Sequence, residues 1–173
     1  MPEFYGSVAG ADAYHAARAN TAWAGSDEAK QAALVRASAY IDGKYQQQNS
    51  CGRWESMFSG VKTGGRAQEL QWPRTGATDN EGEAIPPDEV PPEIEKATYE
   101  AALRELVTPG SLSPDYVAAE AIKRQKVDVL EIEYQAAATD GGVPTRPVLT
   151  VVDELVAPLL RSNRLCGVAV YVV

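Results

Sequence analysis

The chain has 173 residues, 45% of them hydrophobic, and a formal net charge of -8. That length suits one modest core. The longest apolar stretch, the C-terminal CGVAVYVV, is too short to span a bilayer, and no basic segment leads into an apolar run at the N-terminus, so the expectation is a soluble chain without a leader.

The charge is unevenly spread. Nine acids between Asp79 and Glu105 face only Lys96 and Arg104, giving that window -7, whereas residues 1–78 sum to +1 and residues 106–173 to -2. On those sums no half of the chain is a basic platform for phosphates, and sequence-independent nucleic-acid binding is disfavoured.

In chain order, Ser7 caps a first short helix in which Val8, Ala11, Tyr14 or His15, and Arg18 recur at helical spacing. Ser26, followed by Asp27 and Glu28, starts a second helix reaching about Asp42, with Gly43 as its stop. Its apolar stripe is Ala33, Leu34, Ala37, Tyr40 and Ile41, with Glu28, Gln31, Ser38 and Asp42 opposite. Residues 43–90 show no sustained period and are rich in Gly and Pro, which predicts a long extended loop. A loop of that length needs contacts of its own, and the Trp72-Pro73-Arg74 triplet together with Trp54 is the expected anchor.

Pro91 and Pro92 open a third helix to about Val107, because the first turn has no use for the missing N–H. Glu93, Lys96, Glu100 and Arg104 form its charged stripe, and the apolar remainder is broad enough for contacts on two sides. Residues 121–135 alternate as a short β-hairpin. Thr150, with Asp153 three residues on, reads as the cap of a last helix that Pro158 ends or kinks. The expected fold is mainly α: a small helical bundle over residues 1–160 with the long loop and the hairpin, followed by an apolar tail at 161–173.

Candidate chemistry is sparse. His15 is the single histidine, which excludes a two-His metal site and an HExxH helix, so it reads as a packed or surface imidazole. Cys51 and Cys166 make neither a disulfide framework nor a metal cluster and read as reduced, part-buried thiols. KTGGRA at 62–67 lacks the spacing of a phosphate-binding P-loop. Asp79, Glu81 and Glu83 alternate as calcium ligands do, but too few follow, and with Asp88 and Glu89 they read as an acidic surface. Lys123, Arg124 and Lys126 form the one local basic cluster, read as a solvated strand edge. No cofactor is expected, and nothing points to an enzyme.

The segments ADAYHAARAN, KQAALVRASAYIDGKY, QELQWPRTGATDNEGEAIPPDEVPPEIEKATYEAALREL and IKRQKVDVLEIEY resemble a tailed-bacteriophage family often labelled DnaT-like single-strand-binding proteins. Gln68, Leu70, Trp72, Pro73, Arg74, Asp79, Gly82, Ile85, Pro86, Val90 and Pro91 carry the most specific part. The stretch NSCGRWESMFSGVKTGG and the C-terminal tail depart from that pattern. The resemblance, with the helical body, implies a head-tail connector: a dodecameric ring in the virion neck that docks on a portal protein and receives a stopper or tail protein. Double-stranded DNA would pass through it without specific binding, and no membrane is involved. The acidic window would line or face that channel. Val168, Val170, Tyr171, Val172 and Val173 would then add a strand to the portal or a neighbouring subunit. The alternative is the label's literal meaning, a single-stranded DNA-binding replication helper, which needs a basic groove interleaved with stacking aromatics. Trp54, Trp72 and Tyr134 could stack, but on the charge sums above they stand in neutral or acidic surroundings, so the expectation favours the connector and no useful DNA affinity.

Overall fold

The computed structural model describes residues 4–114, 124–127, 130–133 and 148–161. Four α-helices are found among them: α1 (Val8–Ala16), α2 (Asp27–Lys44), α3 (Pro92–Val107) and α4 (Thr150–Val156). Ser7 and Ser26 are the N-caps of α1 and α2, accepting hydrogen bonds from Gly10 N at 3.0 Å and Ala29 N at 3.3 Å. The two prolines open α3 as expected, with Pro91 as cap and Pro92 as first helical residue. At α4 the cap differs from the expectation. Leu149, not Thr150, holds that position without a side-chain bond. Pro158 lies in the 3-10 turn Ala157–Leu159 that ends the helix.

Helix α3 is the centre of the bundle and packs against α1, α2 and α4. Its contact residues are small. Ala97, Ala101 and Ala102 of α3 and Ala33 and Ala37 of α2 are all fully buried, and such short side chains let packed helix backbones approach closely. Leu34, Ile41, Ile94, Val152 and Val156 fill the space between helices, each fully buried.

Two residues of α2 assigned to its wet face are drawn inward. Ser38 is fully buried, donating to Leu34 O at 2.9 Å and accepting from Tyr5 N at 3.0 Å. The Asp42 carboxylate accepts from Tyr5 Oη at 2.6 Å and from Gln71 N at 2.9 Å. The segment preceding α1 and the chain after residue 70 cover that side of the helix, so α2 is buried on more of its circumference than its periodicity suggests. Glu100, assigned to the charged stripe of α3, is likewise buried, held by Tyr14 Oη at 3.1 Å and by Arg104.

The expectation of an extended loop at 43–90 is corrected. Two small antiparallel hairpins are built into it: β1 (Gln46–Gln48) with β2 (Trp54–Ser56), and β3 (Val61–Lys62) with β4 (Arg74–Thr75). The strands are too short to show periodicity, and their cohesion comes from side chains bonded to backbone. A third hairpin pairs β5 (Arg124–Val127) with β6 (Leu130–Glu133), inside the range expected. No helix among the described residues is long and apolar enough to cross a membrane.

Candidate nucleic-acid interface

Hairpin β1–β2 leaves the end of α2 directly. Met57 N donates to Tyr45 O at 3.0 Å, tying the returning strand to the residue that caps α2. The hairpin loop is closed by Asn49, whose side-chain oxygen accepts from Cys51 N and Arg53 N at 3.0 Å each while its backbone N–H donates to Arg53 O at 2.9 Å. Gly52 takes the positive φ of 73° that this turn needs. Cys51 is exposed at this tip, contrary to its reading as part-buried.

The second hairpin is organised from inside. Trp72 is buried against Phe58, ring centroids 5.6 Å apart, and its amide donates to Tyr5 Oη at 3.1 Å. The Trp72-Pro73 peptide is cis. Arg74, also buried, spends its guanidinium on backbone: Nε donates to Ser59 O and Nη2 to Gly60 O, both at 2.6 Å, and Nη1 to Gln71 Oε1 at 2.8 Å. Burial and the nearby Arg161 lower its proton affinity from the ordinary arginine value. Gln68, one of the residues that carry the family resemblance but not assigned a structural role from the sequence, is buried; it accepts from Gly64 N at 2.8 Å and donates to Leu70 O and Pro73 O at 2.9 Å each. Lys62 Nζ completes the set by donating to Gln68 O at 3.0 Å and Glu69 O at 2.8 Å.

Trp54 and Trp72, grouped in the sequence as anchors, have opposite surroundings. Trp72 is 2% exposed and Trp54 is 64% exposed. Trp54 stands on β2, opposite Gln48 of β1.

The net charge around these hairpins is positive. Residues 43–78 carry Lys44, Arg53, Lys62, Arg66 and Arg74 against Glu55 and Glu69, a net of +3. The sum over residues 1–78 hides this, because residues 1–42 contribute -2. Lys44 is spent on Asp153, 2.6 Å away. Arg53 and Arg66 are exposed and have no ion-pair partner among the described residues. The tertiary structure adds Arg161: its amide donates to Met57 O at 2.8 Å, next to a bridge between Phe58 and Leu160, so the end of the α4 region delivers an exposed cation to the base of both hairpins.

The acidic residues are elsewhere. Glu81, Glu83, Asp88 and Glu89 are exposed, and Asp79 turns inward, accepting from Glu81 N at 2.9 Å and Glu83 N at 2.8 Å, which makes it a turn former. No group of three or more metal-ligating side chains occurs among the described residues. His15 is buried with both nitrogens engaged: Nε2 donates to Tyr99 O and Nδ1 accepts from Asn20 Nδ2, each at 3.1 Å, and burial lowers its pKa. In the third hairpin the register sets Arg124 opposite Glu133 and Lys126 opposite Glu131, so each basic position there has an acidic counterpart. Lys123, Tyr134, Cys166 and the tail residues Val168, Val170, Tyr171, Val172 and Val173 lie outside the described residues.

A family model whose description reads "Putative DnaT-like ssDNA binding protein" matches residues 3–171. No curated protein and no solved structure matches the chain. This match corrects the head-tail connector reading. The description it carries is the single-strand-binding alternative, and it names no connector, portal or virion neck. The charge argument behind the connector failed because it averaged over 78 residues and so missed a basic stretch about half that long. With nearly its whole length matched, the chain belongs to the family described as putative DnaT-like ssDNA-binding proteins.

Proposed function

We propose that this protein binds single-stranded DNA without base specificity, using the basic face built from the two hairpins of residues 46–75. The family description supports this reading. The observation that carries it is the segregation of charge. A chain of net -8 holds a +3 stretch at residues 43–78, and the fold brings Arg161 to join it. Local potential, rather than net charge, decides where a polyanion settles, because charges beyond about 8 Å are largely screened at physiological salt. The exposed acids at 81–89 would then keep the strand off the remainder of the surface.

Few cations are free, so affinity should be modest and sensitive to salt. The test is fluorescence anisotropy with a labelled oligothymidylate at several salt concentrations. Binding with a dissociation constant in the range of about 1 to 100 µM, and a log–log salt slope of roughly two, is the expected result for about three phosphates neutralised on a single strand. Arg161→Gln should weaken binding and lower the slope by somewhat under one. No anisotropy change up to about 100 µM protein at low salt would overturn the reading.

A further inference from the structure

Trp54 is the single exposed tryptophan, tyrosine or phenylalanine among the described residues. Trp23 and Trp72 are 8% and 2% exposed, and Tyr5, Tyr40, Tyr45, Phe58 and Tyr99 are all buried. An indole left in water forgoes the stabilisation that burial would give it. It also does not sit on a loose segment. It occupies the first position of β2, in a hairpin closed by Asn49 and tied at its base to Tyr45 O.

The pairing determines its company. Residues directly opposite in an antiparallel pair share a face and successive residues alternate. Trp54, Gln48, Ser56 and Gln46 therefore lie on one face, and Glu55 and Gln47 on the other. The one acid of the hairpin lies on the opposite face from the indole. Of the polar side chains on the indole's face, Gln46 donates to Asp42 O at 3.0 Å and Ser56 Oγ accepts from Phe58 N at 3.2 Å, which leaves the exposed Gln48 amide to bond a base edge. Arg53 precedes it, exposed and unpaired among the described residues.

Resting on the single-strand-binding reading above, we infer that Trp54 is a stacking platform for an unpaired base, with Gln48 beside it and Arg53 supplying a phosphate contact. Every base has a π-face, so such a platform tolerates any sequence but requires an unstacked base. It gives the protein a preference for single strands over duplex that the basic residues alone cannot provide, since phosphates are common to both.

The experiment compares wild type with Trp54→Ala, Trp54→Phe and Arg53→Gln, using a labelled oligothymidylate and a duplex of equal length. Trp54→Ala should weaken single-strand binding by roughly 5- to 150-fold, the span of one base–aromatic stack, and leave the salt slope unchanged. Trp54→Phe should recover most of the loss. Arg53→Gln should lower the slope by somewhat under one instead. Saturating the wild type with oligothymidylate should quench tryptophan emission, and Trp54→Ala should abolish that quenching, because Trp23 and Trp72 are buried. Melting curves of the variants serve as the folding control. Wild-type binding with an unchanged dissociation constant in Trp54→Ala overturns the platform and leaves the single-strand-binding reading standing. An absence of any wild-type binding overturns both.

Discussion

Arg74→Met is the sharpest test of how the basic face is held in shape. Arg74 is 4% exposed, yet no carboxylate lies within ion-pair distance of it among the described residues, and its partners are carbonyl and amide oxygens of residues 58–60 and 71. Methionine fills much of the same volume but leaves Ser59 O and Gly60 O without their donors. Each was held at 2.6 Å by a cation, and a bond to a charged group contributes about 1.5–3 kcal/mol. Two such bonds give about 3–6 kcal/mol. Relief from burying a cation next to Arg161 reduces that, and both carbonyls belong to half-buried residues that water can partly reach. The net expectation is a loss of about 3 kcal/mol, or about 6–12 °C in melting temperature for a chain of this size. Arg74→Lys should fall between, because an ammonium keeps the charge but cannot span Ser59 O, Gly60 O and Gln71 Oε1 together. Urea and thermal melts followed by circular dichroism give the global figure. Hydrogen exchange at Thr63 N, which donates to Pro73 O, reads the hairpin itself. If Arg74→Met melts within about 2 °C of wild type, the guanidinium does not hold the hairpin.

Two further perturbations probe the bundle. Burial raises the Asp42 carboxyl from the usual carboxylate value to about 6, outweighing the lowering effects of Tyr5, the Gln71 amide, Lys62 and Arg74. A raised folded-state pKa means the folded protein holds the proton more tightly, so this contribution to stability is fully present below about pH 4 and is lost as pH rises through about 6. Relative to Asp42→Asn, wild type should therefore gain up to about 3 kcal/mol between pH 7 and pH 4 in urea melts, and parallel pH profiles would refute the assignment. Glu105 is 1% exposed and accepts from Arg36 Nε at 2.6 Å and from Gly110 N at 2.7 Å. Arg36→Ala should cost about 2 kcal/mol, less than the roughly 3–5 kcal/mol of a fully buried pair because Arg36 itself is half exposed, and Glu105→Ala should cost more by also freeing the Gly110 amide. Urea midpoints check both, and an Arg36→Ala variant as stable as wild type would show the pair to be idle.

The helices were legible in the sequence because their signals are local. A hydroxyl at Ser7 or Ser26 caps amides three residues away, prolines at 91 and 92 fit a first turn, and alanines recur at helical spacing along α2 and α3. The hairpins at 46–75 gave no such signal. Their strands are two or three residues long, and Gln68, Lys62 and Arg74 hold them by reaching backbone oxygens that no periodic pattern marks. Trp54 and Trp72 show where local reading stops. Both lie in one Gly- and Pro-rich stretch and invite the same assignment, yet one packs on Phe58 and the other faces solvent. Side-chain type sets how much apolar surface each carries, whereas its burial depends on what the fold places next to it. Asp42 illustrates the same separation from the polar side, because the groups that enclose it, Tyr5 and Gln71, lie 37 and 29 residues away. The basic face is non-local in the same way. The amino-acid sequence determined its cations, but only the tertiary structure removed Lys44 and Arg74 from it and added Arg161, since charge is a property of the residue and availability a property of its contacts.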